Sequence, residues 1–210
     1  MLRTVLFAMT GLLMVGSAQT GLAAGPEDCV EEGQFAQVIE ACTEVIRQSP
    51  DNARAYKVLG NVHLAMDNYP LALADFNKAI ALDPKYADAY AGRGKARPAD
   101  QESLAMADFD KAIELDPKNA KAYYYRSDFH SVQFPERAIA DLGKAIEFAP
   151  KFVAAYIARG MKYAEMDQRA RAKADFAKAI DINAEAARVI GRIHPDIVDE
   201  IEAEGRANPR

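Results

Sequence analysis

The sequence predicts an all-α protein, an α-solenoid of antiparallel helix pairs, from three observations. A six-residue phrase recurs at offsets of 33, 33 and 34 residues. Small residues, aromatic residues and prolines keep the same register in the copies. Apolar residues within each copy follow helical spacing. A fixed period of this length indicates one supersecondary unit that buries its apolar face against neighbouring copies.

Each copy is predicted to contain two helices, helix A and then helix B. In the first copy, helix A begins near Ala53 and places Tyr56, Leu59, Gly60 and His63 on one buried face. The aromatic residue near the start of helix A recurs in every copy, as Tyr56, Tyr90, Tyr123 and Tyr156. This periodicity predicts that helix A of each copy packs through the same stripe.

Helix B contains the recurring phrase, which occupies residues 75–80, 108–113, 141–146 and 175–180. Asp67-Asn68 predicts the turn before the first of these helices. Pro84 ends it, because proline disfavours helix at the residue that precedes it. The closing proline recurs as Pro50, Pro84, Pro117 and Pro150 and is replaced by Ala184 after the last copy.

Three small residues in each copy are expected where the two helices approach most closely, because a larger side chain would push the helices apart. They are Gly60, Ala72 and Ala79; Gly94, Ala105 and Ala112; Ser127, Ala138 and Ala145; and Gly160, Ala172 and Ala179.

This pattern resembles the tetratricopeptide repeat (TPR) family. The resemblance covers residues 53–184 as four units, namely 53–86, 87–119, 120–152 and 153–184, and residues 25–52 as an N-terminal half-repeat. It implies a right-handed superhelix in which helix A of each unit lines the concave face. Stacked copies of the unit also leave an extended groove, which predicts that the protein holds another molecule.

Units two and three depart from the pattern, because each lacks one residue between helix A and helix B. Pro98 is expected to end helix A of the second unit about one turn early. Phe134-Pro135 marks the same place in the third unit. The two departures are interpreted as altered turns between helix A and helix B, at an edge of the repeat where loops tolerate changes in length. A changed shape of the groove is the alternative.

The N-terminus has the organisation of a secretory signal peptide. Arg3 precedes an apolar run from Val5 to Val15, and small residues follow it. Cleavage is predicted after Ala23 or Ala24, so residues 1–24 form the signal. An uncleaved membrane anchor is the alternative, although the dense apolar run is shorter than the roughly 20 residues that span a bilayer.

Export makes the two cysteines of the chain, Cys29 and Cys42, a candidate disulfide. An apolar stripe predicts a helix from about Gln34, which places Cys42 about 12 Å along its axis. The four residues from Gly33 back to Cys29 reach about 13 Å if they are extended. The bond therefore requires this segment to run back along the helix, and two free thiols are the alternative.

The C-terminal segment, residues 185–210, is predicted to cap the array, because terminal repeats need a polar outer face. Ala186 to Arg192 is expected to be helical, and Pro195 breaks this helix. A second helix then places Ile197, Val198 and Ile201 on one face and acidic residues on the other.

No motif for catalysis is found: the chain has neither a glycine-rich phosphate loop nor a Gly-x-Ser-x-Gly elbow. Acidic residues are expected on solvent faces, so no catalytic carboxylate pair can be singled out. Cys29, Cys42 and His63 could come close enough to bind zinc, but the usual ligand spacings are missing. The formal net charge of −5 argues against nucleic acid and anionic lipid as main partners. We therefore expect no enzyme, no metal and no cofactor.

Helix A residues outside the buried stripe define a candidate ligand groove. They are Arg54, Lys57, Asn61, Lys95, Lys121, Tyr124, Asp128, Ile157 and Met161, with Asp88, Ala91 and Ala154 at equivalent positions. Spacings of three and four residues keep each set on one helix face. This wall is basic and polar at its start and apolar at its end, which suits a partner segment with an acidic group and an apolar anchor.

Some TPR proteins bind acidic C-terminal tails through a two-carboxylate clamp, and Lys57, Asn61 and Lys121 match three of its positions. Gly92 and Tyr125 replace an asparagine and an arginine of that clamp. The resemblance to the clamp is therefore incomplete.

The sequence thus predicts an exported protein-protein interaction module that holds a peptide or protein segment in its concave groove, with the bacterial periplasm as its expected compartment. A self-associating structural scaffold without a peptide ligand is the alternative.

Overall fold

The computed structural model describes residues 34–130 and 134–207. Within these ranges the chain forms eleven α-helices, one short 3₁₀ helix and no strand. The α-helices are α1 (Phe35–Gln48), α2 (Ala53–Ala65), α3 (Tyr69–Leu82), α4 (Ala87–Ala96), α5 (Glu102–Leu115), α6 (Ala120–His130), α7 (Pro135–Phe148), α8 (Val153–Glu165), α9 (Arg169–Ile182), α10 (Ala186–Gly191) and α11 (Pro195–Ala207). The predicted signal peptide and Cys29 lie outside the described residues.

The chain divides after Leu115 into two compact units. In the first unit, α1 to α5 pack in chain order, each helix on the next, and α2 also contacts α4. In the second unit, α6 to α11 pack in the same sequential way. Contacts between successive helices are typical of a solenoid, so the predicted all-α, α-solenoid class is confirmed.

The core of each pair is built around one buried side chain from the recurring phrase. Phe76, Phe109 and Phe176 are fully buried, and Leu142 takes the same position in the pair α6–α7. Two alanines of each helix B, four positions before and three positions after this side chain, surround it and have zero exposure. The phrase therefore recurs because it supplies the packing centre of every pair.

The glycines of helix A face these phenyl rings. A Cβ atom added to Gly60, Gly94 or Gly160 would lie 2.7, 2.6 or 2.5 Å from the Cε1 atom of the phenylalanine in the same pair. Such distances are too short for carbon atoms. The small residue is thus required by one aromatic ring, which is more specific than the close backbone approach expected from the sequence.

Asparagine side chains begin three of the helices. Asn52 accepts a hydrogen bond from the backbone N–H of Ala55 at 3.0 Å, and Asn119 accepts one from Ala122 at 2.9 Å. Asn68 does the same for Leu71 at 3.4 Å. These caps satisfy N–H groups that have no partner inside the helix.

The turn between helix A and helix B takes two forms. In the pairs α2–α3 and α8–α9 it contains a residue with positive φ, namely Asp67 (56°) and Asp167 (57°). The pairs α4–α5 and α6–α7 are each one residue shorter at this place. In α4–α5, Arg97 before Pro98 is extended and α4 ends at Ala96, which confirms the early stop predicted from this proline.

Asp167 offers a direct test of this turn, because its side chain makes no hydrogen bond or ion pair within the described part of the chain. We expect Asp167→Gly to stabilise the protein by about 0.5 kcal/mol, since glycine adopts positive φ without a Cβ clash. Asp167→Ala should be about 1 kcal/mol less stable than the glycine variant. Urea unfolding of the three proteins measures both differences, and a glycine variant less stable than the alanine variant would contradict this account of the turn.

The C-terminal helices continue the packing of the second unit. Ile197 and Val198 of α11 are buried in one cluster with Ile190 of α10 and Phe176 of α9. The imidazole of His194 lies against Phe176, with ring centroids 5.6 Å apart and the two rings tilted by 31°. The apolar face predicted for the last helix is therefore used for packing. None of the described helices has the length and apolar character needed to cross a membrane.

Candidate functional site

The first unit contains four of the residues predicted to line the groove. Arg54, Lys57 and Asn61 lie on α2, and Lys95 lies on α4, which packs directly against α2. Arg54 is exposed, and the other three are partly buried. Spacing on α2 puts its three residues on one face, and Lys95 lies on the helix that packs against α2.

The second unit contains the other five, and they divide by burial. Lys121 and Asp128 of α6 are exposed, and Met161 of α8 is partly buried. Tyr124 of α6 and Ile157 of α8 are only 8% and 4% exposed. The expectation that these last two side chains lie outside the buried stripe is therefore wrong.

The reason is the packing of neighbouring helix pairs. Tyr124, Ile157 and Ala91 share one position on helix A, and all three are buried. The ring of Tyr124 lies 4.9 Å from that of Phe152, which precedes the next helix A. Ile157 belongs to the same cluster as the C-terminal helices. In these three units the position thus serves packing between pairs, which periodicity within one helix does not reveal. Lys57 holds the same position in the first unit and is only partly buried.

Burial also makes the hydroxyl of Tyr124 harder to ionise. Removal from water raises the pKa of its hydroxyl well above the usual range, and the nearby Asp128 carboxylate adds to this effect. The hydroxyl stays protonated at neutral pH. Tyr124 therefore contributes an apolar ring to the core and no charge to the wall.

Sequence reasoning missed a set of ion pairs inside the helix pairs, here called the Arg–Asp pairs. Each aspartate begins the recurring phrase on helix B, and each arginine follows the helix A aromatic residue by three positions. The pairs are Arg93 with Asp108, Arg126 with Asp141, and Arg159 with Asp175. A Tyr-x-x-Arg pattern in three of the four units was the signal that could have found them.

The geometry of these pairs is bidentate. Nε and Nη2 of Arg159 donate to the two carboxylate oxygens of Asp175 at 2.8 and 2.7 Å. The guanidinium group also lies over Tyr156, 6.0 Å from its ring centroid. The three aspartates are 5 to 6% exposed, so the expectation that acidic residues lie on solvent faces is wrong for them. Two parallel hydrogen bonds and an aromatic face hold each arginine in place.

The first pair of helices uses a different partner. Leu59 takes the arginine position, and Nδ1 of His63, one turn later, lies 2.6 Å from Oδ2 of Asp75. Burial raises the pKa of Asp75, and the hydrogen bond with His63 offsets this only in part. His63 thus has a structural partner inside its own helix pair.

These internal pairs join helix A to helix B within a repeat, and their hydrogen-bonding atoms face one another. Among residues 34–130 and 134–207, no group of three His, Cys, Asp or Glu side chains could hold a metal ion.

Cys42 lies in the core of the first unit, with zero exposure, beside Val38 and Val45. Because Cys29 lies outside the described residues, the Cys29–Cys42 disulfide stays a prediction. The zinc alternative involves the same undescribed residue.

Two segments match the model of the tetratricopeptide repeat, residues 53–86 and residues 153–185. The chain therefore carries tetratricopeptide repeats in both of its compact units. The first of these segments corresponds to α2 and α3, and the second to α8 and α9.

Several known proteins are similar to this chain in sequence or in structure. An 83-residue stretch, 40% of this chain, is 34% identical to "Protein SGT1 homolog" of Oryza sativa subsp. japonica, and the match spans 23% of that protein. The crystal structure of the MamA protein aligns with a TM-score of 0.52 and 28% identity, covering 73% of this chain and 85% of that one. TTC0263, a thermophilic TPR protein of Thermus thermophilus, aligns with a TM-score of 0.64 and 18% identity, covering 74% and 90%. The last likeness concerns the fold alone.

Proposed function

We propose that this chain, through its tetratricopeptide repeats, is an exported interaction module that holds a peptide or protein segment against the helix A side of its repeats. The observation that supports this most is that the cationic side chains of helix A fall into two groups, one internal and one exposed. Arginines that join helix A to helix B are internal, whereas Arg54 and Lys121, at one equivalent position, point to solvent. These exposed cations do not belong to the buried cores.

The chemistry of the wall in the first unit favours an acidic segment as the partner. Arg54, Lys57 and Lys95 bring three cations to two adjacent helices, and Asp88 is the acidic residue at an equivalent helix A position. Arg54 makes no ion pair or hydrogen bond with another described side chain. Local positive charge on an acidic chain attracts and orients an acidic partner.

Charge reversal tests this wall. We expect the double variant Lys57→Glu and Lys121→Glu to bind its captured partner at least roughly tenfold more weakly, because a rim charge would now repel an acidic segment. The matched control is Lys144→Glu with Lys178→Glu, two exposed lysines of helix B. Partners are captured from envelope proteins, and affinity is measured by biolayer interferometry. Unchanged binding of the Lys57 and Lys121 variant would exclude these residues from the interface.

Export is part of this proposal and follows from the sequence of residues 1–24. The bacterial periplasm is the compartment we propose, and N-terminal sequencing of the protein recovered from that compartment would establish whether the chain starts after Ala23 or Ala24. Recovery of a chain that retains residues 1–24 in a membrane fraction would favour the membrane anchor instead.

The second candidate is a self-associating scaffold. It is supported by the sequential packing of helix pairs within each unit, because solenoids can extend by end-to-end contact. Size-exclusion chromatography with light scattering separates the two proposals. A mass above that of one chain favours the scaffold, and a monomer that captures a partner favours the interaction module.

A further inference from the structure

The last helix is held to the rest of the second unit by a ladder of alternating charges. Nη1 of Arg169 lies 2.6 Å from Asp196, and its Nη2 lies 2.7 Å from Glu200. Nζ of Lys173 lies 3.3 Å from Glu200 and 2.6 Å from Glu204. The cations are one turn apart on α9 and the carboxylates one turn apart on α11, so both rows match the helical repeat.

All five side chains of this ladder remain in contact with solvent. The side chain of Arg169 is 50% exposed, and those of its partners Asp196 and Glu200 are 58% and 46% exposed. The hydrogen bonds from Arg169 lower the pKa values of Asp196 and Glu200, which keeps both ionised at neutral pH. Exposed pairs of this kind are weakened by dissolved salt.

The apolar contacts of α11 come from three side chains on one face of the helix. Ile197 and Val198 are buried, and Ile201 is partly buried against the same cluster. Along the chain, only α10, a helix of 6 residues, connects α9 to α11. By contrast, Arg159 and Asp175 join α8 to α9 with side chains only 22% and 8% exposed. The ion pairs that attach α11 to α9 are therefore exposed to solvent, whereas the ion pair that attaches α8 to α9 is mostly buried.

We propose that α11 is an electrostatically latched cap, which opens and closes independently of the helix pair beneath it and whose closed population is set by the charge ladder. Opening removes Ile197 and Val198 from the cluster and uncovers the apolar end of the second unit. Local opening of a terminal element costs less than global unfolding, so the two events can be separated experimentally.

Hydrogen exchange of the full chain, read by mass spectrometry, tests the latch. Raising NaCl from about 0.1 M to about 1 M shortens the Debye length from about 10 Å to about 3 Å. We expect protection of α11 to fall about tenfold, with protection of α8 unchanged. The double variant Arg169→Gln and Lys173→Gln should show the lower protection already at low salt and should lose the salt response.

Two further variants separate charge from packing. Arg169→Lys keeps the charge and should keep the salt response, whereas Lys178→Gln removes an exposed pair with Asp181 within α9 and should leave α11 unaffected. The proposal is overturned if salt does not alter exchange in α11 of the wild-type chain. It is overturned equally if α8 and α9 lose protection in the same proportion as α11.

Discussion

Replacing Gly160 by serine is expected to destabilise the protein by about 1–3 kcal/mol, because the new Cβ would meet a fully buried ring and overpack the core. A Cβ at this position would lie 2.5 Å from Cε1 of Phe176. That ring is enclosed by the C-terminal cluster and cannot move aside without opening it. Chemical denaturation with urea measures the loss.

The pair α6–α7 indicates how this loss can be relieved. At the equivalent positions it has Ser127 on helix A and Leu142 on helix B, both buried. The hydroxyl of Ser127 donates a hydrogen bond to the carbonyl oxygen of Tyr124 at 2.7 Å. Serine is thus accommodated where leucine replaces phenylalanine. A larger residue than glycine on helix A is therefore accommodated when the residue that faces it on helix B is smaller than phenylalanine.

The double variant Gly160→Ser with Phe176→Leu should therefore be more stable than the sum of the two single changes predicts. Phe176→Leu alone loses apolar contacts and leaves a small cavity. We expect a coupling energy of about 1 kcal/mol or more in favour of the double variant. Additive effects in this double-mutant cycle would show that the ring does not impose the glycine.

Removing one carboxylate from an Arg–Asp pair is the second change with a large expected effect. Asp175→Asn leaves the guanidinium group of Arg159 in a site that is mostly closed to water, without its counter-charge. We expect a loss of about 2–3 kcal/mol, somewhat below the usual cost of breaking a fully buried pair, because Arg159 keeps some exposure. Thermal and urea unfolding report the difference.

Asp75→Asn is the matched control in the helix pair that lacks the arginine. Because burial raises the pKa of Asp75, its ionised form gains less from the fold, and we expect this variant to lose less than about 1 kcal/mol at neutral pH. The sign of the pH dependence follows. The folded chain holds the Asp75 proton more tightly than the unfolded chain. Protonated Asp75 therefore adds to the free energy of unfolding at low pH, and this contribution is lost as pH rises through the folded pKa. Equal losses for Asp75→Asn and Asp175→Asn would contradict this assignment.

The elements of the fold could be predicted because their signals are local. Pro98 ends α4, and Asp67-Asn68 marks the turn before α3, since each acts on its immediate backbone. Register across four copies then identified the residues of the core. Local turn signals and the alignment of the four copies were sufficient for these conclusions.

The spacing within a single helix does not predict parts of the candidate site and the Arg–Asp pairs, because they depend on neighbouring helices. Tyr124 and Ile157 have the spacing of a solvent-facing row, yet the next helix pair covers them. The buried state of Asp141 depends on Arg126, which is 15 positions away in sequence and on another helix. Only the comparison of aligned copies, in which arginine and aspartate recur together, carries that information.

The central claim is that a partner binds on the helix A side of the repeats, and site-specific photo-crosslinking in the native compartment tests it most directly. The crosslinking residue replaces Arg54 or Lys121 on helix A, and Ala74 or Ala140 on helix B, all four exposed. We predict adducts of one defined mass from the helix A positions and none from the helix B positions. Adducts of equal yield from both sides, or from helix B alone, would contradict the claim.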